Sequence, residues 1–153
     1  MSTLLIRPAT LDDLETLYRF EQGIILAERP YDPTLVKDPI NYYDLKKYVS
    51  ETETEVVVAV IDDVIVASAY AQIREAKDYL DHQLYAYLGF MFVEPEHRGK
   101  SINGAIIESL EKWIKRQGVS EVRLDVYADN NSALSAYNKK GFKPHMLTMR
   151  KRI

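Results

Sequence analysis

A basic turn between a strand and a helix carries the residues of this chain that are best suited to chemistry. The turn, EHRGKS, follows the strand-like run LYAYLGFMFV and precedes an amphipathic helix predicted over 101–117. Proteins hold phosphate groups by delivering such an amide-rich, basic turn to a helix N-terminus. Further along, Tyr137 falls in a short predicted helix, where its phenol could supply a proton. Together these features indicate an enzyme that binds a phosphorylated cofactor.

The chain does not contain the other common phosphate-binding motifs or a metal-binding motif. The letters GKS match the end of a Walker-type phosphate loop, but that loop requires a glycine where this chain has Glu94, followed by Pro95. An acid at that position would repel phosphate. The chain has no G-x-G-x-x-G dinucleotide fingerprint, and no metal-ligand spacing links His82, His97 and His145. We therefore expect neither an NTPase nor a metal site.

The composition is that of an ordinary globular protein. The chain has 153 residues, of which 46% are hydrophobic and 28% charged, with a formal net charge of −3 and no cysteine. The acidic balance argues against a nucleic-acid partner, and the lack of cysteine excludes disulfides and thiolate catalysis. The N-terminal run is too polar for a signal peptide, and no run approaches the roughly 18 to 20 apolar residues of a membrane span. We expect a single cytoplasmic domain over 1–153 with no membrane partner.

Hydrophobic patterning predicts the elements that position the candidate residues. The predicted order along the chain is β-α-α-β-β-β-α-β-α-β, a mixed α/β sheet. Thr10 and Asp13 form a capping-box pattern at the start of the first helix, and Asp62-Asp63 suits the tight turn of a hairpin. The other predicted elements are strands over 4–9, 84–93, 121–127 and 145–153 and helices over 41–49, 101–117 and 131–140.

Two motifs, in this order, resemble those of the GCN5-related N-acetyltransferase family. The family's pyrophosphate motif, R/Q-x-x-G-x-G/A after a strand ending in Val-x-Pro, is similar to FVEPEHRGKSINGAII, with Arg98 and Gly99 at the family's Arg-Gly. Its later pattern, N-x-x-A-x-x-x-Y-x-x-x-G-F, is matched by NNSALSAYNKKGF from Asn130 to Phe142. The resemblance implies the family's fold, a mixed sheet with two splayed central strands.

One departure from the family concerns the loop glycines. Two of them fall on Ser101 and Asn103, with a glycine only at Gly104. Because glycine lets backbone amides approach phosphate closely, the side chains here could hold a pyrophosphate further away. We expect cofactor binding to survive in weakened form, and the alternative is a loop that binds no cofactor.

The resemblance implies that acetyl-CoA binds in a gap between the strands 84–93 and 121–127. Backbone N–H groups of the first strand would hold the thioester carbonyl and stabilise negative charge on its oxygen. These donors would come from Met91, Phe92 and Val93. The pyrophosphate would lie over the amides of Gly99, Lys100, Ser101, Ile102, Asn103 and Gly104, aided by Arg98 or Lys100.

The resemblance also implies transfer of the acyl group to a primary amine, by direct attack in a ternary complex. The amine must be neutral to attack, although free alkyl amines titrate near pH 10, so a base is useful. Asp125 lies five residues before Asn130, where some family members place a glutamate base, and it faces away from the aliphatic row of its strand. Alternatively, Asp125 pairs with Arg123 or a lysine.

Three further roles follow from the resemblance. Tyr137 would protonate the departing thiolate, or it packs against Phe142 and Trp113. Asn130 would hydrogen-bond the pantetheine, or it caps the helix that follows. Glu21 and Glu28 are candidates to bind the substrate, because they lie in the region that forms the family's acceptor wall.

The acceptor and the oligomeric state are less defined. Acidic and aromatic residues of 21–44 favour a cationic amine, either a small molecule or a peptide N-terminus. A homodimer formed through edge strands is a further expectation. The alternative function is a non-catalytic sensor that binds acyl-CoA, which the departures at Ser101 and Asn103 suggest.

Overall fold

A computed structural model describes residues 2–153, and its centre is a five-stranded mixed sheet. Across the sheet, the strands are β1 (Leu4–Pro8), β2 (Thr54–Ile61), β3 (Val64–Glu75), β4 (Leu84–Val93) and β5 (Val122–Arg123). The helices are α1 (Leu14–Glu28), α2 (Leu45–Ser50), α3 (Ile102–Arg116) and α4 (Asn131–Lys139). Neighbouring strands are antiparallel except β4 and β5, which are parallel. The predicted mixed α/β sheet is confirmed.

Each face of the sheet carries its own core. On one face α3 buries Ile106, Leu110 and Ile114 at helical spacing, packed against small and branched side chains of the sheet. On the other face α1 buries Leu17 and Phe20, together with side chains of α2. Burial of each large apolar side chain stabilises the fold by about 1.5 to 3 kcal/mol.

The predicted turn and capping signals are confirmed. Asp13 accepts a hydrogen bond from the Thr10 N–H at 2.8 Å and also pairs with Arg7 at 2.8 Å. A short 3-10 turn at 11–13 precedes α1. In the hairpin between β2 and β3, Asp62 and Asp63 have φ angles of 51° and 64°, the left-handed pair that a type I′ turn requires.

The two parallel strands separate soon after they meet. Their ladder is limited to Ala86 with Val122 and Tyr87 with Arg123. The strand predicted over 121–127 is therefore shorter than expected, because beyond Arg123 neither β4 nor another strand of residues 2–153 lies beside it. A gap opens between the C-terminal part of β4 and residues 124–127, and the expectation of splayed central strands is confirmed.

The final strand predicted over 145–153 is wrong. Every residue of 143–153 is exposed, and none is in a strand; Met146 and Met149 are 85% and 84% exposed. An alternating pattern forms a strand only where another strand offers backbone partners, and within residues 2–153 none does so here. The observed order lacks the last β element.

Candidate functional site

A β-bulge in β4 redirects the strand at the edge of the gap. Phe90 is buried, yet it has a φ of 58°, and the register with β3 shifts between Ser68 and Tyr70. Gly89 makes room, because a Cβ there would lie 2.6 Å from the Tyr70 hydroxyl oxygen. The Ser68 hydroxyl donates to the Phe90 carbonyl at 3.2 Å. The bulge adds one residue to β4 and so reverses the direction of the N–H groups that follow.

Two of these N–H groups face the gap. Before the bulge, Ala86 donates its N–H towards β5 at 2.8 Å; after it, Glu94 donates to a β3 carbonyl at 2.8 Å. Because N–H groups alternate along a strand, Phe92 points to β3 with Glu94, whereas Met91 and Val93 point into the gap. Of the three predicted donors, two are therefore aimed at the gap and Phe92 at the sheet.

The basic turn ends in an open helix N-terminus. Gly99 has a φ of 79°, and α3 begins three residues later. The first N–H groups of a helix have no intrahelical acceptor and carry its positive dipole end. Arg98 donates its Nε to the Val93 carbonyl at 3.0 Å. Among residues 2–153 its terminal guanidinium nitrogens make no further hydrogen bond, so they are available to an anion.

Ser101 stands in the conformation that glycine favours. Its φ and ψ are 62° and 20°, and its side chain makes no capping hydrogen bond. A left-handed conformation costs a residue with a Cβ about 1 kcal/mol. Asn103 lies in the first turn of α3, where no left-handed angle is needed. Of the two departures from the glycine pattern, only Ser101 therefore carries backbone strain.

A lysine from the end of α4 lies across the first turn of α3. A Cβ at Gly104 would lie 2.7 Å from Cε of Lys140, whose Nζ pairs with Glu108 at 3.0 Å. Lys140 therefore lies beside the first turn of α3 with its charge paired to Glu108.

Tyr137 on α4 is half-buried. Its ring packs edge-on against Phe142, with centroids 5.9 Å apart, which is the Phe142 part of the packing interpretation. Burial, with a smaller contribution from the Glu28 carboxylate, raises the pKa of Tyr137 to about 12. Its phenol is therefore protonated at neutral pH and can donate. Asn130 caps the same helix by accepting the Ala133 N–H at 3.2 Å.

Tyr87 and Asp125 meet where the two strands separate. The Tyr87 hydroxyl donates to Oδ2 of Asp125 at 3.0 Å, and the Arg74 guanidinium lies 4.0 Å from the Tyr87 ring centre. Burial first, and then the Asp125 charge, raise the pKa of Tyr87 far above its usual range. Arg123 pairs with Glu121 at 3.0 Å and not with Asp125. Asp125 is exposed at the edge of the gap.

A second polar group joins the end of α1 to the residues after β5. We call Glu28, Asp32, Tyr42 and Tyr127 the acidic–aromatic surface. The Tyr127 hydroxyl donates to Oδ2 of Asp32 at 2.8 Å, and its ring stacks on Tyr31 with centroids 6.0 Å apart. Burial raises the pKa of Glu28, with Tyr42 opposing and Asp32 adding to the shift. This carboxylate is therefore more basic than an exposed one.

Glu21 supports this surface from beneath. It is 1% exposed, and its Oε2 accepts the N–H groups of Tyr42 and Tyr43, both at 2.8 Å. Its carboxylate is thus occupied in fixing the chain before α2, and the substrate contact predicted for it has no open access.

Several features of the site are absent from the sequence-based prediction. The bulge had a signal, because a glycine inside a strand, here Gly89, often marks one. Tyr127 shares the face of Asp125 by strand alternation. The contact between Asp32 and Tyr127 had no signal, since it joins residues 95 positions apart.

Over residues 2–153, each helix is too short or too polar to span a membrane. Within the same residues, no three His, Asp or Glu side chains converge in a way that could hold a metal ion.

Comparison of the sequence with known proteins identifies its family and several relatives. The model of the acetyltransferase (GNAT) family matches residues 14–142. An uncharacterised N-acetyltransferase of Bacillus subtilis is 38% identical over 60 residues, 39% of this chain and 24% of that protein. The spermidine N(1)-acetyltransferase of Thermoplasma acidophilum is 36% identical over 53 residues, 35% of this chain and 33% of that protein. The chain thus aligns with less than half the length of these curated relatives.

Solved structures share the fold over nearly the whole chain. A mutant protein from Bacillus halodurans superposes with a TM-score of 0.87 at 22% identity and covers 97% of this chain and 99% of its own. A predicted acetyltransferase from Clostridium acetobutylicum, with acetyl-CoA, gives a TM-score of 0.75 at 16% identity, covering 98% and 96%. At these identities the likeness shows a common fold.

Proposed function

This chain belongs to the acetyltransferase (GNAT) family, and on that premise we propose that it transfers an acetyl group from acetyl-CoA to a primary amine by direct attack in a ternary complex. The observation that carries the proposal is the gap between β4 and β5, into which Met91 and Val93 direct their N–H groups. The N-terminus of α3 follows at the end of the same strand. A reducing cytoplasm suits this cysteine-free chain.

The residues along the gap fit the parts of acetyl-CoA. An extended pantetheine arm can pair with the free edge of β4, where the N–H groups of Met91 and Val93 offer donors for its amide and thioester oxygens. The free N–H groups at 102–104 and the unpaired nitrogens of Arg98 suit a pyrophosphate. Lys140 lies beside these amides and would have to leave Glu108 to contact phosphate. The thioester supplies an activated acyl group, and the protein must supply proton transfer.

Two side-chain roles balance the reaction. A bond forms between the amine nitrogen and the acetyl carbon, the carbon–sulfur bond breaks, the amine loses a proton and the thiolate gains one. We assign the proton donor to the Tyr137 phenol, which is protonated at neutral pH. We assign the acceptor of the amine proton to Glu28, whose raised pKa makes it a better base than an exposed carboxylate. Asp125 is the other candidate.

The pH dependence distinguishes these two bases. Below its raised pKa, Glu28 is neutral and cannot accept a proton, so kcat/KM should show a break on the acid side, at a pH above the ordinary pKa of a glutamate. In Glu28→Gln this break should disappear and kcat/KM should drop by about 10- to 100-fold, while the gradual loss due to protonation of the amine itself remains. Asp125→Asn serves as the matched variant and should keep the break. If the break persists in Glu28→Gln and vanishes in Asp125→Asn, the base is Asp125.

Removal of the Ser101 Cβ should tighten acetyl-CoA binding. Ser101→Gly removes the Cβ from a left-handed residue, which lets the loop amides approach phosphate. We expect calorimetry to give a severalfold lower dissociation constant. Asn103→Gly is the control, because glycine inside α3 should instead cost about 1 kcal/mol of folding free energy with no gain in binding. Weaker binding by Ser101→Gly would mean that its hydroxyl contacts the phosphate.

The acidic–aromatic surface supports a cationic acceptor. Two carboxylates, Glu28 and Asp32, lie among phenols that can stack on a cationic chain or hydrogen-bond to it. One carboxylate can take the proton of the attacking amine while the other pairs with a second positive group. We therefore infer a small diamine, a polyamine or a peptide N-terminus as acceptor.

An assay with a panel of amines tests the proposed function. Purified protein and acetyl-CoA should release CoA thiol steadily with at least one amine and give the acetylated amine by mass spectrometry. Diamines and polyamines should react faster than neutral monoamines. Tight acetyl-CoA binding without thiol release for any amine would instead support the alternative function, a non-catalytic acyl-CoA sensor. Absence of acetyl-CoA binding would overturn both.

A further inference from the structure

Arg74, near the end of β3, is a half-buried cation without a carboxylate partner. Among residues 2–153 no ion pair includes it. Partial burial of a guanidinium without a counter-ion costs free energy, because the charge loses water and gains no opposite charge in return. An anionic ligand would offset this cost.

Neighbouring side chains hold the guanidinium in one place. Its Nε donates to Oε1 of Gln72 at 2.9 Å, and its Cζ lies 4.0 Å from the ring centre of Tyr87. Gln72 is fixed in turn, because its Nε2 donates to Oγ1 of Thr54 at 3.1 Å and to Oε1 of Glu51 at 3.2 Å. The hydrogen bond to Gln72 leaves the two terminal nitrogens of Arg74 as a fork, the geometry that matches a carboxylate.

The guanidinium lies close to the bulge in β4. The side chains of Tyr70, Gln72 and Arg74 share the face of β3 that carries α1 and α2. On this face a Cβ at Gly89 would lie 2.6 Å from the Tyr70 hydroxyl oxygen. Burial raises the pKa of Tyr70 to about 12, and the positive charge of Arg74 beside its hydroxyl opposes the shift. One phenol thus separates Arg74 from the strand edge that faces the gap.

Acidic groups lie at the other end of a row of phenols. The ring of Tyr43 packs edge-on against Tyr70 and against Tyr42, with centroids 5.6 and 5.7 Å apart. Tyr42 belongs to the acidic–aromatic surface, which also contains Glu28 and Asp32. Two ring contacts therefore connect a place suited to a cation with a place suited to an anion.

We propose that Arg74 binds a carboxylate of the acceptor, and that the acceptor is an amino acid with a second amino group. The attacking amine lies at the gap, the second amine at the acidic–aromatic surface, and the carboxylate against the terminal nitrogens of Arg74. Asp125 accepts the hydroxyl of the same Tyr87 but forms no ion pair with Arg74, so the fork stays open. The inference rests on the proposed acetyl transfer to an amine and adds the class of that amine.

Binding to the protein loaded with CoA tests the carboxylate site without turnover. Calorimetry compares ornithine with its carboxamide and with the diamine that remains when its carboxylate is replaced by hydrogen. The wild type should bind ornithine at least about tenfold more tightly than either of the other two, because only the carboxylate can form a charge-assisted pair with Arg74.

Substitutions of Arg74 identify the residue responsible. Arg74→Met keeps an unbranched stem over Tyr87 but removes the charge, so ornithine and its carboxamide should bind equally well. Arg74→Lys keeps a cation but loses the planar fork, so the preference should fall severalfold without disappearing. Arg116→Met, at the exposed end of α3 on the other face of the sheet, should leave the preference intact.

The outcomes separate binding from positioning. Equal binding of the three ligands by the wild type would overturn the proposal, and so would a preference for ornithine that survives in Arg74→Met. If Arg74 serves only to position Tyr87, Arg74→Met should weaken all three ligands alike, which also contradicts the proposal. Failure of the proposed function would show differently, as an absence of thiol release from acetyl-CoA with every amine while the binding preference is still measurable.

Discussion

Tyr137→Phe is expected to lower kcat by about 100-fold or more while leaving KM for acetyl-CoA nearly unchanged. The substitution removes the phenol that we propose as proton donor to the departing thiolate but keeps the ring against Phe142. Because the pKa of Tyr137 is raised to about 12, the wild-type donor stays protonated between about pH 6 and 9. The loss in kcat should therefore be the same across that range. Steady-state thiol release at several pH values measures it.

Two controls make this test specific. Tyr79→Phe removes a phenol that is 83% exposed and should leave kcat unchanged. The thermal midpoint of Tyr137→Phe should stay close to that of the wild type, since only one oxygen atom is lost. An unchanged kcat at all pH values would refute the donor role and leave Tyr137 as a packing residue.

Glu21→Ala is expected to destabilise the fold by about 3 kcal/mol. The buried carboxylate accepts the N–H groups of Tyr42 and Tyr43, and its loss leaves both donors without a partner in a buried place. Unsatisfied donors that had been bound to a charged group cost about 1 to 3 kcal/mol each. In a chain of this size the thermal midpoint should fall by roughly 6 to 12 °C.

The same substitution should also disturb the acceptor side of the site. Glu21 fixes the segment that carries Tyr42, so KM for the amine should rise more than KM for acetyl-CoA. Leu26→Ala, on the exposed side of the same helix, should change the midpoint by less than about 2 °C. A midpoint for Glu21→Ala within that margin would show that water replaces the carboxylate at little cost.

The sequence predicted those parts of the fold that depend on local signals. The hairpin at Asp62-Asp63, the capping box at Thr10 and the strand β4 follow from turn chemistry and alternation, which a linear pattern displays directly. The final strand was mispredicted because alternation states which side chains would share a face but not whether a partner edge lies within reach. Residues 124–127 failed to pair for the same reason.

In the candidate site, too, local features were predictable from the sequence and contacts between distant segments were not. Motif spacing predicted Arg98 and Gly99 in the turn before α3 and Tyr137 on a short helix, which are positions set within one loop or helix. Contacts between distant segments, such as Tyr87 with Asp125, had no linear signal. Glu21 was predicted to bind substrate. From the sequence alone, an acid on a helix that faces solvent cannot be distinguished from one that accepts hydrogen bonds from two buried backbone donors.

The bulge at Phe90 makes the direction of the backbone N–H groups at the gap depend on the number of residues in β4. These donors belong to Met91 and Val93, and every residue other than proline supplies the same donor there. The side chains at the two positions pack against the α3 core, so packing limits which residues can replace them. Loss or gain of a single residue between Gly89 and Met91 would instead turn the donors towards β3, a change of direction that substitutions which keep the packing do not cause.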